Sequence, residues 1–163
     1  MRPSRRYLLP LVVAIAACPA CAQTGDDQQA AQIKKPVSDA KVTLVQAMEI
    51  AQKEAQGGLL VSAELLPDDV PPAYLGKFLV AGKIKEVWID GVDGHVQGSR
   101  TRDVVPEHRD WAAEFPSIVG KFQKSPLEML REATEPPGGL TGACQAKFEW
   151  ERGRWSLVVL LPP

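Results

Sequence analysis

The chain has 163 residues, of which 45% are hydrophobic and 24% are charged, and its formal net charge is −1. This length limits the protein to one domain or two very small ones, and the hydrophobic fraction is sufficient for a buried core. The balanced charge lacks the strongly basic character that nucleic-acid binding requires. We therefore expect a globular protein that does not bind nucleic acid.

Residues 1–22 have the pattern of a signal peptide. Three arginines precede a mostly apolar segment over residues 7–17, which is too short to span a bilayer comfortably. Small residues then frame a cleavage site, so we predict that cleavage after Ala22 leaves Gln23 as the first residue. The mature chain would carry 16 basic and 20 acidic residues, and we expect it to be exported and periplasmic.

A second processing route remains open because residues 15–18 resemble a bacterial lipobox. Lipidation of Cys18 would anchor the protein to a membrane face, although Pro19 directly after it weakens the match. Residues 4–9 also resemble a twin-arginine signal, for which we prefer the interpretation of an ordinary basic leader. Residues 23–42 are polar and without periodicity, which predicts a disordered tether.

Residues 43–98 predict a helix followed by strands. Thr43 and Gln46 have the spacing of a capping box, and two glycines at residues 57–58 end the helix. A proline-rich loop follows the first strand, and Gly82 marks a turn between the second and third. Strands are predicted at residues 59–66, 74–80 and 84–90, with a short fourth strand at 95–98.

Residues 99–124 predict a helical linker that Pro116 breaks or kinks. A second, shortened unit occupies residues 125–163, with Ser125 and Glu128 in another capping box and a hairpin afterwards. Its caps, helix stop and strands repeat the order of the first unit. We therefore predict an α+β fold in which helices pack on an antiparallel sheet that the two α-β-β units share.

The sequence presents no complete constellation for catalysis or metal binding. Asp90, Asp93 and His95 are residue types that bind metals, but they do not form a full ligand set and fit a hairpin turn. His108 is interpreted as part of a solvated helical face. A nucleophile elbow, a phosphate loop and a dinucleotide fingerprint are all missing from the sequence. We predict no enzyme, no cofactor and no metal site.

Both faces of the predicted sheet look apolar. Trp88 and Ile84 point to the face opposite Val87 and Ile89. We expect the linking helices to cover this second face. The alternative is an exposed patch, with Trp88, Ile84 and Tyr74 as candidate residues, that docks a partner protein.

The first unit resembles the PepSY domain over about a third of the chain. The resemblance is carried by the helix positions Leu44, Ala47 and Ala51, by the glycine stop, and by the strand at residues 61–64. Residues 89–96 fit the closing pattern of the family, in which an aspartate and a glycine precede a valine. The second unit fits only weakly.

The resemblance implies a helix packed on a hairpin sheet and a role in peptidase inhibition or cell-surface binding, without shared catalytic residues. We therefore predict a non-catalytic envelope protein that binds a protein partner, such as a peptidase, through the sheet face or the loop at residues 67–72. We expect it to contact a membrane only through a lipid anchor. The alternatives are a small-ligand or metal-binding periplasmic protein and a structural envelope protein.

Overall fold

The computed structural model describes residues 12–17, 40–66, 69, 71–134, 143, 145–151 and 154–161. Cys18, Ala22 and Gln23, which the processing predictions concern, lie outside these residues, as does most of the predicted tether. Part of the proline-rich loop and the turn at residues 152–153 also lie outside them.

Along the chain, the first helix is followed by four consecutive strands, two further helices and a final pair of strands. The strands are β1 Val12–Ala17, β2 Leu59–Leu66, β3 Ala73–Val80, β4 Lys83–Asp90, β5 Val96–Asp103, β6 Gln145–Glu151 and β7 Arg154–Leu161. The helices are α1 Leu44–Glu54, α2 Arg109–Val119 and α3 Pro126–Thr134, and a 3₁₀ turn, Pro106–His108, precedes α2.

Within the described residues the strands form one sheet in the order β1-β7-β6-β2-β3-β4-β5. All pairings from β7 to β5 are antiparallel, whereas β1 pairs with β7 in parallel. Helices packed on an antiparallel sheet confirm the predicted α+β fold. The strand β1 lies in the segment predicted to be a signal peptide, so a protein cleaved after Ala22 would lack it.

Helix α1 forms as its sequence predicts. The Thr43 side chain accepts a hydrogen bond from the Gln46 N–H at 3.2 Å, and the Gln46 side chain accepts one from the Thr43 N–H at 2.9 Å. Ala47, Met48 and Ala51 have no exposed surface and pack on the sheet face of β3 and β4. This amphipathic packing, more than local propensity, stabilises the helix.

Helix α3 joins the C-terminal unit to the first unit. Ser125 and Glu128 form the predicted capping box, with the Ser125 N–H donating to Glu128 at 2.7 Å. The helix packs against α1, β2 and β7, and Arg131 forms an ion pair with Glu49 of α1. The two units therefore share a core as well as a sheet.

Two predicted elements differ in the structure. Helix α2 continues through Pro116 and ends at Val119, so of the two predicted effects of the proline, a break or a kink, the break does not occur. Strand β5 extends to Asp103, whereas the sequence predicted a strand of four residues and a helical linker from residue 99. Residues 99–103 were not predicted as a strand because all five are polar and exposed. They therefore lack the alternation of apolar and polar residues that indicates a strand.

The second face of the sheet carries more charge than the sequence predicted. Glu64 and Lys77 form an ion pair there at 3.4 Å, and Lys77 lies opposite Glu86 in the β3–β4 pairing. Ile84 on this face is buried, and Trp111 of α2 lines the same cavity as Ile84. The linker thus approaches this face at the Ile84 end, while charged side chains occupy its centre.

Candidate binding site

The turn between β4 and β5 is held by the carboxylate of Asp90. Its Oδ1 accepts hydrogen bonds from the N–H groups of Val92 at 2.7 Å and Asp93 at 3.2 Å, and Gln97 donates to Oδ2 at 3.1 Å. The Val92 N–H is the main reason that the pKa of Asp90 lies below its usual value. The Asp90 carboxylate therefore stabilises the conformation of this turn.

The same turn brings together the only group of three metal-ligand types found in the described part of the chain. Potential ligand atoms of Asp90, Asp93 and His95 lie within 4.8 Å of one another. Asp93 Oδ1 accepts from the His95 N–H at 2.9 Å and lies 2.6 Å from its ring Nδ1, and these contacts lower the pKa of Asp93. The oxygens serve local backbone geometry, as an Asp-rich hairpin turn requires.

The turn also anchors the start of the domain. The Gly91 carbonyl accepts hydrogen bonds from the N–H groups of Lys41 at 2.9 Å and Val42 at 3.0 Å, and its own N–H donates to Pro72 at 2.7 Å. The Tyr74 hydroxyl donates to the Val42 carbonyl at 2.8 Å. The closing segment of the first unit is thus a structural junction of three chain segments.

A buried carboxylate organises the adjacent surface of β4 and β5. Glu86 is 4% exposed in its side chain, with Arg100 Nη2 2.5 Å from its Oε2 and Arg102 Nη2 2.9 Å from its Oε1. Two guanidinium groups on one carboxylate leave a net positive charge. Burial makes the removal of such partners costly, so the two arginines and Glu86 form one coupled unit.

Arg100 and Trp88 form an aromatic and cationic pair at this surface. The guanidinium carbon of Arg100 lies 5.5 Å from the centroid of the Trp88 ring, within the range of a cation–π contact. Trp88 is half-buried, and the Arg100 side chain is 64% exposed. We name these two residues, with Glu86 beneath them, the Trp88–Arg100 surface.

The three predicted partner-surface residues occupy different environments. Tyr74 is 4% exposed and Ile84 is 9% exposed, so both residues belong to the buried core. Trp88 retains accessible area beside Arg100. The sequence pattern did not point to either arginine, although their i, i+2 spacing places them on one face of a strand once β5 is extended.

Arg102 faces a cavity on the other side of Glu86. The cavity has a volume of about 410 Å³. It is lined by residues of strands β2 to β6, of the segment after β5 and of α2. Its walls include Ile84 and Trp111, and His108 lies at its edge. The two arginines that share Glu86 therefore belong to two different surfaces.

Residues 41–100 match the family model described as "Peptidase propeptide and YPEB domain", PepSY. The match begins just before α1 and ends within β5, so it contains the Glu86 carboxylate and Arg100. The match confirms the predicted similarity of this unit to the PepSY domain. The match does not extend to the second unit.

Two further comparisons describe the whole chain. No curated protein matches it. A crystal structure of a candidate lipoprotein from Clostridium difficile is similar with a TM-score of 0.45 and 14% sequence identity, covering 74% of this chain and 78% of that one. That similarity supports no functional statement.

Among the described residues, no helix has both the length and the apolar character needed to cross a membrane.

Proposed function

We propose that this protein is an exported, non-catalytic envelope protein that binds a protein partner through the Trp88–Arg100 surface. The observation that carries the proposal is the position of Arg100. Its side chain is 64% exposed, and yet its guanidinium is bonded to Glu86 through both Nε at 3.1 Å and Nη2 at 2.5 Å. An exposed cation held in one geometry loses little side-chain entropy when it binds.

The residue types at this surface support protein binding. Tryptophan and arginine are the residues that most often dominate the energetics of protein interfaces. Strand β5 is the last strand of the sheet order, and most of its residues are exposed. An extended segment of a partner can therefore add to this edge while its side chains contact Trp88 and Arg100.

A peptidase is the partner that the family description favours, because that description refers to peptidase propeptides. In this proposal, the PepSY domain contacts the peptidase and regulates it without contributing a catalytic group. We expect added protein to change the rate at which an envelope extract hydrolyses a fluorogenic peptide mixture. The Trp88→Ala variant should change this rate much less, because it lacks the aromatic part of the surface.

Capture of partners from an envelope extract tests the surface itself. Wild-type protein and Arg131→Gln, whose arginine pairs with Glu49 in the helix layer, should retain the same protein. Trp88→Ala and Arg100→Gln should lose it. Identical retention by all four proteins, or by none of them, would contradict binding through this surface.

Export is supported by the basic and apolar pattern of residues 1–22. The intact mass of the protein purified from its native envelope tests it. A chain that starts at Gln23 indicates cleavage by a signal peptidase, and one that starts at an acylated Cys18 indicates a lipoprotein. A chain that retains residues 1–17 would contradict export by either route.

A further inference from the structure

We propose that the cavity beneath α2 binds an amphipathic organic anion, which is a ligand with an apolar chain or ring and one carboxylate or sulfonate group. This site is separate from the Trp88–Arg100 surface and does not depend on the proposed partner binding. Its volume of about 410 Å³ falls within the range of about 300–1,000 Å³ that small-molecule sites occupy.

The apolar wall of the cavity is held in place by aromatic packing. Phe148 is 7% exposed and meets the fully buried Phe115 edge to face, with ring centroids 5.7 Å apart. Trp111 stacks on Phe115 at 4.8 Å, and Ile84 and Val61 complete the wall. Because these rings are ordered before a ligand arrives, binding requires little rearrangement.

The polar lining of the cavity is mainly basic. Lys77, Arg102 and His108 contribute nitrogen groups, and Asp103 is the acidic residue that lines it. Asp103 is 82% exposed and pairs with Lys83 at 2.9 Å, which draws its charge away from the cavity. Lys77 is likewise paired, with Glu64, whereas Arg100 and Arg102 share one carboxylate, so the excess charge beside the apolar wall is positive and favours an anion.

Arg102 is the best-placed group for the anionic head of a ligand. One of its nitrogens bonds to Glu86, while the side chain remains 46% exposed at the cavity. A guanidinium has five N–H donors in a planar fork, so it can pair with Glu86 and donate to a second carboxylate at the same time. Lys77, 29% exposed in its side chain, also lines the cavity and is paired with Glu64.

The elements that line the cavity explain why the PepSY domain alone would not form it. Ile84, Lys77 and Arg102 come from residues that match the family or follow it directly, whereas Trp111 and Phe148 come from α2 and β6. The C-terminal part of this chain thus closes a site over the second face of the sheet.

Isothermal titration calorimetry with two probes of equal chain length tests the charge preference. We expect decanoate to bind the mature protein in a saturable one-to-one manner, and decyltrimethylammonium to bind at least about tenfold more weakly, since it lacks the charge that Arg102 recognises. Both probes are used below their micellar concentrations. Equal affinity for the two probes, or no saturable binding of decanoate, would overturn the proposal.

Two matched arginine variants locate the site. Arg102→Gln should weaken decanoate binding by about tenfold. Arg100→Gln removes the other partner of the same buried carboxylate and should weaken decanoate binding much less than Arg102→Gln does, so it controls for the loss of the ion pair. If both variants weakened decanoate binding equally, the cause would be the lost ion pair with Glu86. That result would contradict a direct contact between Arg102 and the ligand.

A volume-filling variant provides a second criterion. Val61→Trp should occupy the cavity and abolish decanoate binding, and His108→Gln, a surface change that folding should tolerate, should weaken it. Trp88→Ala should bind decanoate as the wild type does. If instead Trp88→Ala weakens decanoate binding and Val61→Trp does not, the ligand occupies another surface and the proposal is wrong.

Discussion

At the scale of single residues, the Glu86 carboxylate is the most consequential charge in the described structure. It is buried between strands and compensated by two arginines that remain largely exposed. A buried carboxylate contributes little to the stability of the fold when it is paired, and it destabilises the fold strongly when its partners are removed. Its position fixes the geometry of both surfaces that we assign to binding.

Replacing both arginines should therefore lower the free energy of unfolding by more than the sum of the two single replacements. We expect Arg100→Gln and Arg102→Gln to lower the free energy of unfolding by about 1 kcal/mol each. The double variant should lower it by about 3 kcal/mol, because Glu86 is then buried without a cation. Urea unfolding at pH 7 measures these values.

The control for this series is Lys83→Gln, because Lys83 pairs with the exposed Asp103. Exposed ion pairs contribute little, so its effect should stay within about 0.5 kcal/mol. A double variant no less stable than Lys83→Gln would show that Glu86 does not depend on its two arginines.

Asp90 gives a prediction for pH dependence. Hydrogen bonds, chiefly from the Val92 N–H, lower its pKa in the folded state below the value of about 3.9 expected in the unfolded chain. The carboxylate therefore stabilises the fold above about pH 4, and this stabilisation is lost as the pH falls through the lowered folded pKa.

Asp90→Asn should make stability less sensitive to acid. We expect the variant to be less stable than the wild type at pH 6, and the difference between the two proteins to shrink at pH 3. Urea unfolding at both pH values measures this. The exposed Asp69→Asn serves as the control, and an Asp90→Asn deficit of equal size at both pH values would contradict the role of the carboxylate.

At the scale of elements, close approach of α1 to the sheet depends on Gly76 of β3. A Cβ atom at this position would lie 2.7 Å from Phe78 Cε2 and 2.9 Å from Met48 Sδ. Phe78 and Met48 are fully buried, so neither can move without disturbing the core. The helix therefore requires the absence of a side chain at this point.

Gly76→Ala should lower the free energy of unfolding by about 1–3 kcal/mol through overpacking. Gly98→Ala on β5 is a matched control, because a Cβ there meets nothing within 4 Å. The control should stay within about 0.5 kcal/mol of the wild type. Equal stability of the two variants in urea unfolding would contradict the close approach.

The elements also show what a sequence can predict. The capping boxes at Thr43 and Ser125 and the strand boundaries at Leu59 and Leu66 could be predicted, because each depends on residues that are close in the chain. The extent of β5 could not, because its polar residues form a strand only through pairing with β4.

The candidate site was less predictable for the same physical reason. Trp88 was identified from its side of a strand, but Arg100 became relevant only through its contact with Glu86, 14 residues away in the chain. The burial of Tyr74 follows from its hydrogen bond to Val42, which depends on the path of the segment before α1. Such contacts are properties of the tertiary structure.

At the scale of the whole molecule, the two units depend on each other. Strand β6 pairs with β2 through residues 62–64, and Leu127 and Leu130 of α3 are buried in the common core. Without the second unit, β2 becomes a sheet edge with open hydrogen-bonding groups. The PepSY-like unit of this chain is thus completed by residues that follow it.

A chain that ends at Lys124 should therefore lose cooperative folding. We expect a broad urea transition and soluble oligomers in size-exclusion chromatography, because the β2 edge and the α1 face are uncovered. A chain that starts at Gln23 removes only β1, at the outer side of β7, and should unfold cooperatively. A monomeric, cooperative protein ending at Lys124 would contradict the shared core.

Site-specific photo-crosslinking in cells tests whether the Trp88–Arg100 surface binds a protein partner. Gly98 lies opposite Trp88 in the β4–β5 pairing and has open space for a side chain, so it accepts a benzoyl-phenylalanine probe. We predict one discrete crosslinked species from position 98, its loss when Trp88→Ala or Arg100→Gln is added, and none from the exposed position of Lys121. The absence of a crosslink at position 98, or the same crosslink from both positions, would contradict the claim.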